Sequence, residues 1–370
     1  DATQSTRDWL LLGLALGLAG LSKYTGVFLA LGVAIVLLWA HGWRLLLQAR
    51  LWLAVALALV LISPVLIWNA QHHWVSFGYQ LAHADGQSTW SLRRALTFDV
   101  VQLLAYGPLL LVGLLTFLWR RHESLAGLPL LAQRALTRLC LAFGLPLLVL
   151  VSYLSGKGAA LPHWTAPAWL ALLPLSALGV QWLWDKRGMA RGLVWGLGAL
   201  QGLCIVTLTV LMVTGGQIAG RPLLGQTLGQ TGNPFADLHG WQAAAERAAG
   251  FVSGLRNSGQ PAQALVVSNW TLASRIGWYA QPLPVHVLDI GMSQFVLWAG
   301  DLPDGGDTLL VDVSRLSFTP PLGEHGFARC TLLETLPVYR WGMPMARFNF
   351  YDCRGWNGAP KPQAAAPGSP

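Results

Sequence analysis

The first 214 residues consist of apolar runs separated by short polar segments. A helix that crosses a bilayer needs about 20 predominantly apolar residues, and several of these runs reach or approach that length. The pattern therefore predicts about seven membrane spans, which are Trp9–Leu21, Gly26–Ala40, Leu51–Trp68, Phe98–Trp119, Leu139–Leu154, Trp164–Trp184 and Leu193–Thr214. Because the first two are short, we interpret them as paired short helices that meet at Lys23.

The pattern changes after Thr214. Apolar positions between Ala236 and Arg256 recur at helical spacing, and Ser274–Trp278 predicts a short helical turn. Strands are predicted at Ala264–Ser268, Val285–Leu288, Leu309–Val313, Cys330–Arg340 and Met345–Tyr351. This alternation of helix and strand predicts a small α/β domain.

Composition agrees with a membrane protein. Hydrophobic residues make up 54% of the chain, charged residues 11%, and the mean hydropathy is +0.48, whereas about 25% of the residues of a soluble domain are charged. The predicted fold class is mostly α, a polytopic transmembrane helix bundle with a small C-terminal α/β domain outside the membrane. The predicted regions are the transmembrane domain 1–214, a linker 215–235, the α/β domain 236–356 and a disordered tail 357–370.

Charge orients the predicted bundle. The net charge of +8 is carried by residues 1–214, and no basic run with interleaved aromatics points to nucleic acid. With a cytoplasmic N-terminus, ten basic residues lie inside, which obeys the positive-inside rule. They are Arg7, Arg44, Arg50, Arg120, Arg121, Arg134, Arg138, Lys186, Arg187 and Arg191. The opposite orientation reverses the ratio, so we expect residues 69–97, residues 155–163 and everything after Thr214 to lie outside.

Four basic residues then fall on the outer side, and they are the candidate binding residues. Lys23 lies in the tetrad Ser22-Lys23-Tyr24-Thr25 between two apolar runs, where a cation by default marks a functional site. Lys157 lies between two glycines, which let the backbone approach a ligand closely. Arg93 and Arg94 complete the set. Ammonium and guanidinium groups bind phosphate oxygens strongly, so we predict a lipid-phosphate site; for the two arginines, snorkelling to headgroups is the alternative.

Other polar groups accompany these cations. Tyr24, His163 and Trp164 are candidates to line a ligand pocket, although Pro162 could simply begin the next helix after an ordinary loop. The histidines between residues 69 and 90 do not form a closed metal-ligand pattern, and a helix lying on the outer surface is the expectation for that segment. No cofactor is predicted from these residues, and dependence on a divalent metal is left open.

The four cysteines form two groups. Cys140 and Cys204 lie in predicted spans, where small buried apolar residues are expected. Cys330 and Cys353 are equidistant from Trp341-Gly342, which places them opposite one another across a predicted hairpin. In an oxidising compartment they could form a disulfide.

Three segments resemble a known family. The segments that carry the resemblance are GLALGLAGLSKYTGVFLAL, LISPVLIWNAQHHWVSFGYQLAH and LSGKGAALPHWTAPAWLALLPL. Over about residues 5–300 the chain resembles the bacterial glycosyltransferase family 39 proteins. These proteins are relatives of dolichyl-phosphate-mannose–protein mannosyltransferases and of the lipid A aminoarabinose transferase. Lys157 and Leu161-Pro162 match the Ser-Lys-Gly-Lys-Leu-Pro-Thr-Tyr loop of the latter, while Trp164 stands where it has a tyrosine. Ser22-Lys23-Tyr24 resembles its Thr-Lys-Gly turn.

The resemblance implies a membrane glycosyltransferase that passes a sugar from a polyprenyl-phosphate carrier to a lipid, glycan or protein acceptor at the outer face. It also implies a bacterial inner-membrane location. Family members carry about six more spans upstream, and their acidic catalytic residues lie in a loop with no counterpart in this chain. We therefore expect a fragment that lacks its catalytic base and is inactive alone. Asp85 and Asp99 are weak candidates for that base.

Two hypotheses from other classes stay open. A transporter or flippase would show internal repeats and paired charges deep in the spans, and neither is visible in the sequence. A non-catalytic membrane scaffold would fit the missing base but would leave the outer cations without a purpose. The sugar, the acceptor and the oligomeric state are not determined by the sequence.

Overall fold

The computed structural model describes a defined set of residues and divides the chain into two compact units. The described residues are 5–85, 89–125, 127, 129–158, 160–218, 221–222, 235, 238–257, 259, 264–288, 293–314 and 318–358. The units are Asp1–Leu203 and Cys204–Pro370. Most of the predicted linker 215–235 and of the predicted disordered tail 357–370 lies outside the described residues.

The first unit is helical in its described part, as the apolar pattern predicts. Its helices are α1 Thr6–Ser22, α2 Gly26–His41, α3 Ala49–Gln71, α4 Val75–Asp85, α5 Leu92–Tyr106, α6 Pro108–Trp119, α7 Arg121–Ser124, α8 Leu130–Ser155 and α9 Ala166–Asp185, with α10 Gly188–Thr214 running on into the second unit. Short 3-10 turns cover Gly42–Leu47 and Pro162–Thr165. The break between α1 and α2 falls at Lys23, as predicted. α4 supplies the helix expected between residues 69 and 90.

The number of membrane-crossing helices differs from the predicted seven. Among the described residues, five helices are long and apolar enough to cross a membrane, or up to six if α5 and α6 together count as one. α1, with 17 residues, is not among them. The mostly helical fold is confirmed, and the count of seven is not.

The predicted span Phe98–Trp119 is broken by a sharp bend. α5 ends at Tyr106, α6 begins at Pro108, and the two helices are bent by 104°. Pro108 has no N–H with which to continue the hydrogen-bond ladder of α5. Gly107 has a φ of +91° and lies so close to Gln201 that a Cβ there would approach its side-chain carbon to 2.3 Å. A glycine-proline pair thus replaces one straight span by two short helices.

Small residues let the helices approach each other. A Cβ built on Gly179 of α9 would lie 1.9 Å from the carbonyl oxygen of Gly113 in α6, and one on Gly13 of α1 would lie 2.5 Å from that of Ala54 in α3. Close backbone contact through small residues is typical of helices packed within membranes. The side chains of Phe117 and Leu172 are fully buried between α6, α8 and α9.

The second unit contains a mixed sheet with helices on one face. After the short pair β1 Gln217–Ile218 and β2 Arg221–Pro222, its elements are α11 Trp241–Asn257, β3 Ala264–Val267, α12 Trp270–Tyr279, β4 Val285–Val287, α13 Gln294–Ala299, β5 Thr308–Val313, β6 Phe327–Arg340 and β7 Met343–Trp356. The strand order is β4-β3-β5-β7-β6, with β3 parallel to β4 and β5. Every predicted strand is present, and α13 is the helix that the sequence did not indicate.

The β6–β7 hairpin turns at Trp341 and Gly342. Their φ angles of +50° and +80° suit a two-residue turn whose twist matches that of the strands. Cys330 is paired directly with Cys353 in the ladder, and a disulfide joins them, which is the pairing that the symmetry of the sequence predicts.

Candidate functional site

The first and third of the resembling segments meet at one end of the helical unit. Phe28, near the start of α2, packs in the same apolar cluster as Leu147 and Val151, near the end of α8. Because Lys23 precedes α2 and Lys157 follows α8, both turns lie at this end of the unit. Trp9 and Leu45 pack together at the other end of α1 and α2. We call the first end the cation end.

Tyr24 is held by a chain of hydrogen bonds. Its hydroxyl shares a 2.5 Å hydrogen bond with Ser76 Oγ on α4, and Ser76 Oγ in turn donates to Asn69 Oδ1 near the end of α3. Asn69 is fully buried, and its side-chain nitrogen donates to the carbonyl of Val65. The phenol ring also lies 5.0 Å from that of Phe77. α3 and α4 therefore fix the side chain that follows Lys23.

Lys23 itself is exposed at the break between α1 and α2. Its backbone N–H caps α1 by donating to the carbonyl of Ala19 at 3.2 Å. Its side chain makes no hydrogen bond or ion pair with any residue that the structure describes. The neighbouring Ser22 hydroxyl donates to the carbonyl of Leu18 and so belongs to the helix. The charge of the tetrad, which lies on Lys23, is therefore exposed.

The side chain of Arg94 binds the protein backbone. Its Nε donates to the carbonyl oxygen of Gly156 at 3.0 Å, and Nη2 donates to the carbonyl of Thr89. The backbone N–H of Ser91 donates to the same Gly156 oxygen at 2.9 Å. A Cβ on Gly156 would lie 2.2 Å from the indole nitrogen of Trp90, so any other residue there would displace the Trp90 ring. Arg94 therefore fastens the start of α5 to the turn that carries Lys157.

Arg93 and Lys157 lie beside this junction. Arg93 is exposed, with no hydrogen bond or ion pair to the described residues, whereas Lys157 is partly exposed. The turn is shaped by the N–H of Lys157 donating to the carbonyl of Leu154, and by Gly158 at a φ of +84°. The start of α5 and the turn after α8 thus place Arg93 and Lys157 at the cation end, where Lys23 also lies.

His163 and Trp164 are placed differently from each other. His163 is exposed in the turn before α9, and its imidazole makes no hydrogen bond or ion pair with the described residues. Trp164 is half-buried and packs on the cluster that contains Phe28 and Phe98. Only part of its ring is therefore available to a ligand. The rest of the ring packs between residues of α2, α5 and α9.

A buried polar network that the sequence did not reveal lies next to this cluster. Gln102 Oε1 accepts from Thr165 Oγ1 at 2.6 Å and from Trp169 Nε1 at 2.9 Å, and all three residues are less than 10% exposed. Asp99 Oδ1 accepts from Ser152 Oγ at 2.8 Å and from Gln102 Nε2 at 3.3 Å. A possible signal was the pair Asp99 and Gln102 on one helical face inside an apolar run.

The two weak base candidates lie at different places in the helical unit. Asp99 already accepts two hydrogen bonds, and Asp85 is the last residue of α4. Within the part of the chain that the structure describes, no group of three or more His, Cys, Asp or Glu side chains could hold a metal ion.

An ion cluster occupies the opposite end of the unit. Glu123 binds Lys186 at 3.4 Å and Arg120 at 3.2 Å. The hydrogen bond from the Trp182 indole and the charge of Lys186 hold the pKa of Glu123 below its usual value. Two of the ten basic residues assigned to the inner side are therefore paired.

Comparison with known proteins supports the resemblance. Residues 2–68 match the model of the family described as dolichyl-phosphate-mannose-protein mannosyltransferase. The chain is also similar to the lipid A galacturonosyltransferase RgtD of Rhizobium johnstonii, with 29% identity over 180 residues, which are 47% of this chain and 36% of that protein. The chain thus spans about a third of the length of this relative. No solved structure matches the chain significantly.

These two similarities confirm the likeness to glycosyltransferases of the family 39 type. Together with the apolar helices, they indicate a multi-pass membrane protein.

Proposed function

We propose that this chain is part of a membrane glycosyltransferase that transfers a sugar from a polyprenyl-phosphate carrier to a lipid, glycan or protein acceptor. The observation that carries the proposal is the gathering of Lys23, Arg93 and Lys157 at one end of a helical unit that resembles such enzymes. Lipid-phosphate donors place their charge at the bilayer surface, where the ends of membrane helices also lie. The proposed location is the bacterial inner membrane, with the cation end and the second unit on the outer side.

The proposed chemistry follows from the leaving group. When the sugar departs, negative charge develops on the carrier phosphate, and cations fixed near that phosphate lower the barrier. Lys23 and Arg93 would meet the phosphate directly, since both are exposed. Lys157 would meet it from the neighbouring turn. Arg94 serves as a positioning residue because its guanidinium binds the backbone of that turn.

The pocket side chains follow from the same arrangement. Tyr24 adds a phenol whose position is set by Ser76, and His163 adds an exposed imidazole. Both can hydrogen-bond sugar hydroxyls. We do not assign the general base to Asp99, because its carboxylate already accepts hydrogen bonds from Ser152 and Gln102.

The test is transfer of labelled sugar from polyprenyl-phosphate donors by the full-length protein in membranes. We compare the wild type with Lys23→Ala, and we use Arg44→Ala as the matched control because Arg44 is also exposed and lies at the opposite end of the unit. Loss of transfer in Lys23→Ala with normal transfer in Arg44→Ala would support the proposal. Equal transfer in both variants would remove Lys23 from the site. No transfer from any donor by the wild type would favour a transporter or a scaffold.

A further inference from the structure

α10 is the apolar helix that leads into the second unit. It has 27 residues and is long and apolar enough to cross a membrane. At 1.5 Å per residue it extends about 40 Å, which exceeds the hydrocarbon thickness of about 30 Å. Gly215 and Gly216 then end the helix with φ angles of +74° and +93°. If α10 crosses the bilayer, its last turn before Gly215 reaches the level of the lipid headgroups.

The tip of the β6–β7 hairpin is fastened to this end of α10. The buried side chain of Gln217 donates from Nε2 to the carbonyl oxygen of Arg340 at 2.9 Å. Met345 packs so closely over Gly215 that a Cβ there would lie 2.6 Å from its Sδ. Since these contacts join the hairpin to the residues directly after α10, the turn lies at the same level as the end of α10.

The tip exposes two aromatic rings and a cation. Trp341 is 75% exposed and Tyr339 is 59% exposed, and neither ring contacts an aromatic or polar partner among the described residues. Arg340 is exposed between them. Trp and Tyr are enriched at membrane interfaces because their rings combine an apolar body with a polar edge. A guanidinium beside them can bind lipid phosphate.

The conformation of Trp341 adds an independent observation. Its φ of +50° lies in the left-handed region, which two-residue hairpin turns normally fill with Asn, Asp or Gly. A bulky side chain in that region is uncommon. The geometry of the turn therefore does not account for a tryptophan at this position. Its presence points instead to a function of the exposed ring.

We propose that residues 339–341 form a membrane anchor, with Tyr339 and Trp341 inserted in the headgroup layer of the bilayer that α10 crosses. The occupant is lipid, because the tip is tied to the end of an apolar helix and combines interfacial aromatics with a cation. The anchor gives the second unit a point of attachment to the bilayer besides α10. It does not depend on the enzymatic activity.

The test measures how deeply a spin label beside the tip lies in lipid. A full-length variant with Cys140→Ala and Cys204→Ala keeps the disulfide and has no other cysteine among residues 1–370. Pro344→Cys then adds a label opposite Tyr339 while keeping both rings. The control label is Glu324→Cys, in the exposed turn before β6, whose 14 residues span about 45 Å.

The protein is reconstituted in nanodiscs of phosphatidylethanolamine and phosphatidylglycerol, and relaxation of the label by oxygen and by a water-soluble nickel complex is recorded. We expect nickel to relax the label at position 344 several-fold less than the label at position 324, and oxygen to relax it more. Adding Trp341→Ser and Tyr339→Ser should restore relaxation by nickel at position 344.

Three results would overturn the anchor. Equal relaxation by nickel at the two positions would mean that the tip is in water. Exclusion of both nickel and oxygen from position 344 would mean that protein covers the tip, from this chain or from a second copy. If removing both rings leaves the relaxation by nickel at position 344 unchanged, the rings do not hold the tip in lipid.

Discussion

Arg94 Nε lies 3.0 Å from the carbonyl oxygen of Gly156. The guanidinium that sequence reasoning assigned to a lipid phosphate thus joins the start of α5 to the turn after α8. A carbonyl oxygen does not neutralise the charge of Arg94, but it occupies donors that a phosphate would need. The adjacent Arg93 has no such bond within the described residues. Two neighbouring arginines of one sequence pattern therefore have different structural roles.

The difference between the two arginines can be measured. Arg94→Ala removes hydrogen bonds from a charged donor to two carbonyl groups, so we expect a loss of about 1–3 kcal/mol in the free energy of unfolding. Arg94→Lys should recover little of this loss, because an ammonium group lacks the planar fork of donors. Arg93→Ala should keep the unfolding temperature and raise the KM for the polyprenyl-phosphate donor. The same fall in unfolding temperature for Arg93→Ala and Arg94→Ala would contradict this division.

The network around Gln102 should contribute to stability. Gln102→Leu leaves the buried indole N–H of Trp169 without its acceptor, whereas the hydroxyl of Thr165 can still donate to the carbonyl of Pro162. A buried unsatisfied donor costs about 1–3 kcal/mol. We expect a lower unfolding temperature for the full-length protein in detergent. Adding Trp169→Phe removes this unsatisfied donor, so the double variant should be less destabilised than the sum of the two single variants. Strict additivity would show that the two side chains are not coupled.

The close contact between α6 and α9 predicts sensitivity at one glycine and tolerance at another. Gly179→Ala would place a methyl group 1.9 Å from the carbonyl oxygen of Gly113, which forces the helices apart. Overpacking of this kind costs about 1–3 kcal/mol. Gly196→Ala in α10 is the control, because nothing lies within 4 Å of the added carbon. Thermal unfolding of the two variants checks the prediction, and an equal change in both would refute the close approach of α6 and α9.

His239 predicts a pH dependence in the second unit. Burial, and then the charge of Arg340, lower the pKa of His239 below its ordinary value of 6.5, although the hydrogen bond to the Met212 carbonyl opposes them. The neutral ring donates from Nε2 to that carbonyl at 3.1 Å. Because the folded state binds fewer protons, this contribution to stability is present above the unfolded pKa and is lost as the pH falls through the folded one.

The measurement compares unfolding temperatures at two pH values. Between about pH 7.5 and about pH 5, the wild type should lose more stability than His239→Gln, whose amide can still donate to Met212 but does not titrate. Parallel curves for the two proteins would exclude His239 as the titrating group.

The sequence alone determined the class of the protein and its strongest local elements. Runs of apolar residues are long enough to require a membrane, and this follows from transfer energetics without knowledge of the fold. The break at Lys23, the strands of the second unit and the pairing of Cys330 with Cys353 follow from local periodicity and hairpin symmetry. The likeness to a glycosyltransferase family likewise rests on residues visible in the sequence.

Tertiary structure decided what depends on contacts between distant residues. The bend at Gly107 involves Gln201, far along the chain, so the apolar run through residues 98–119 could not show it. The roles of Arg93 and Arg94 separate only because Gly156 lies beside one of them. Gln102 became part of a network through Thr165 and Trp169. Hydropathy and periodicity record how each residue interacts with its solvent and its near neighbours, whereas hydrogen-bond partners are chosen by packing.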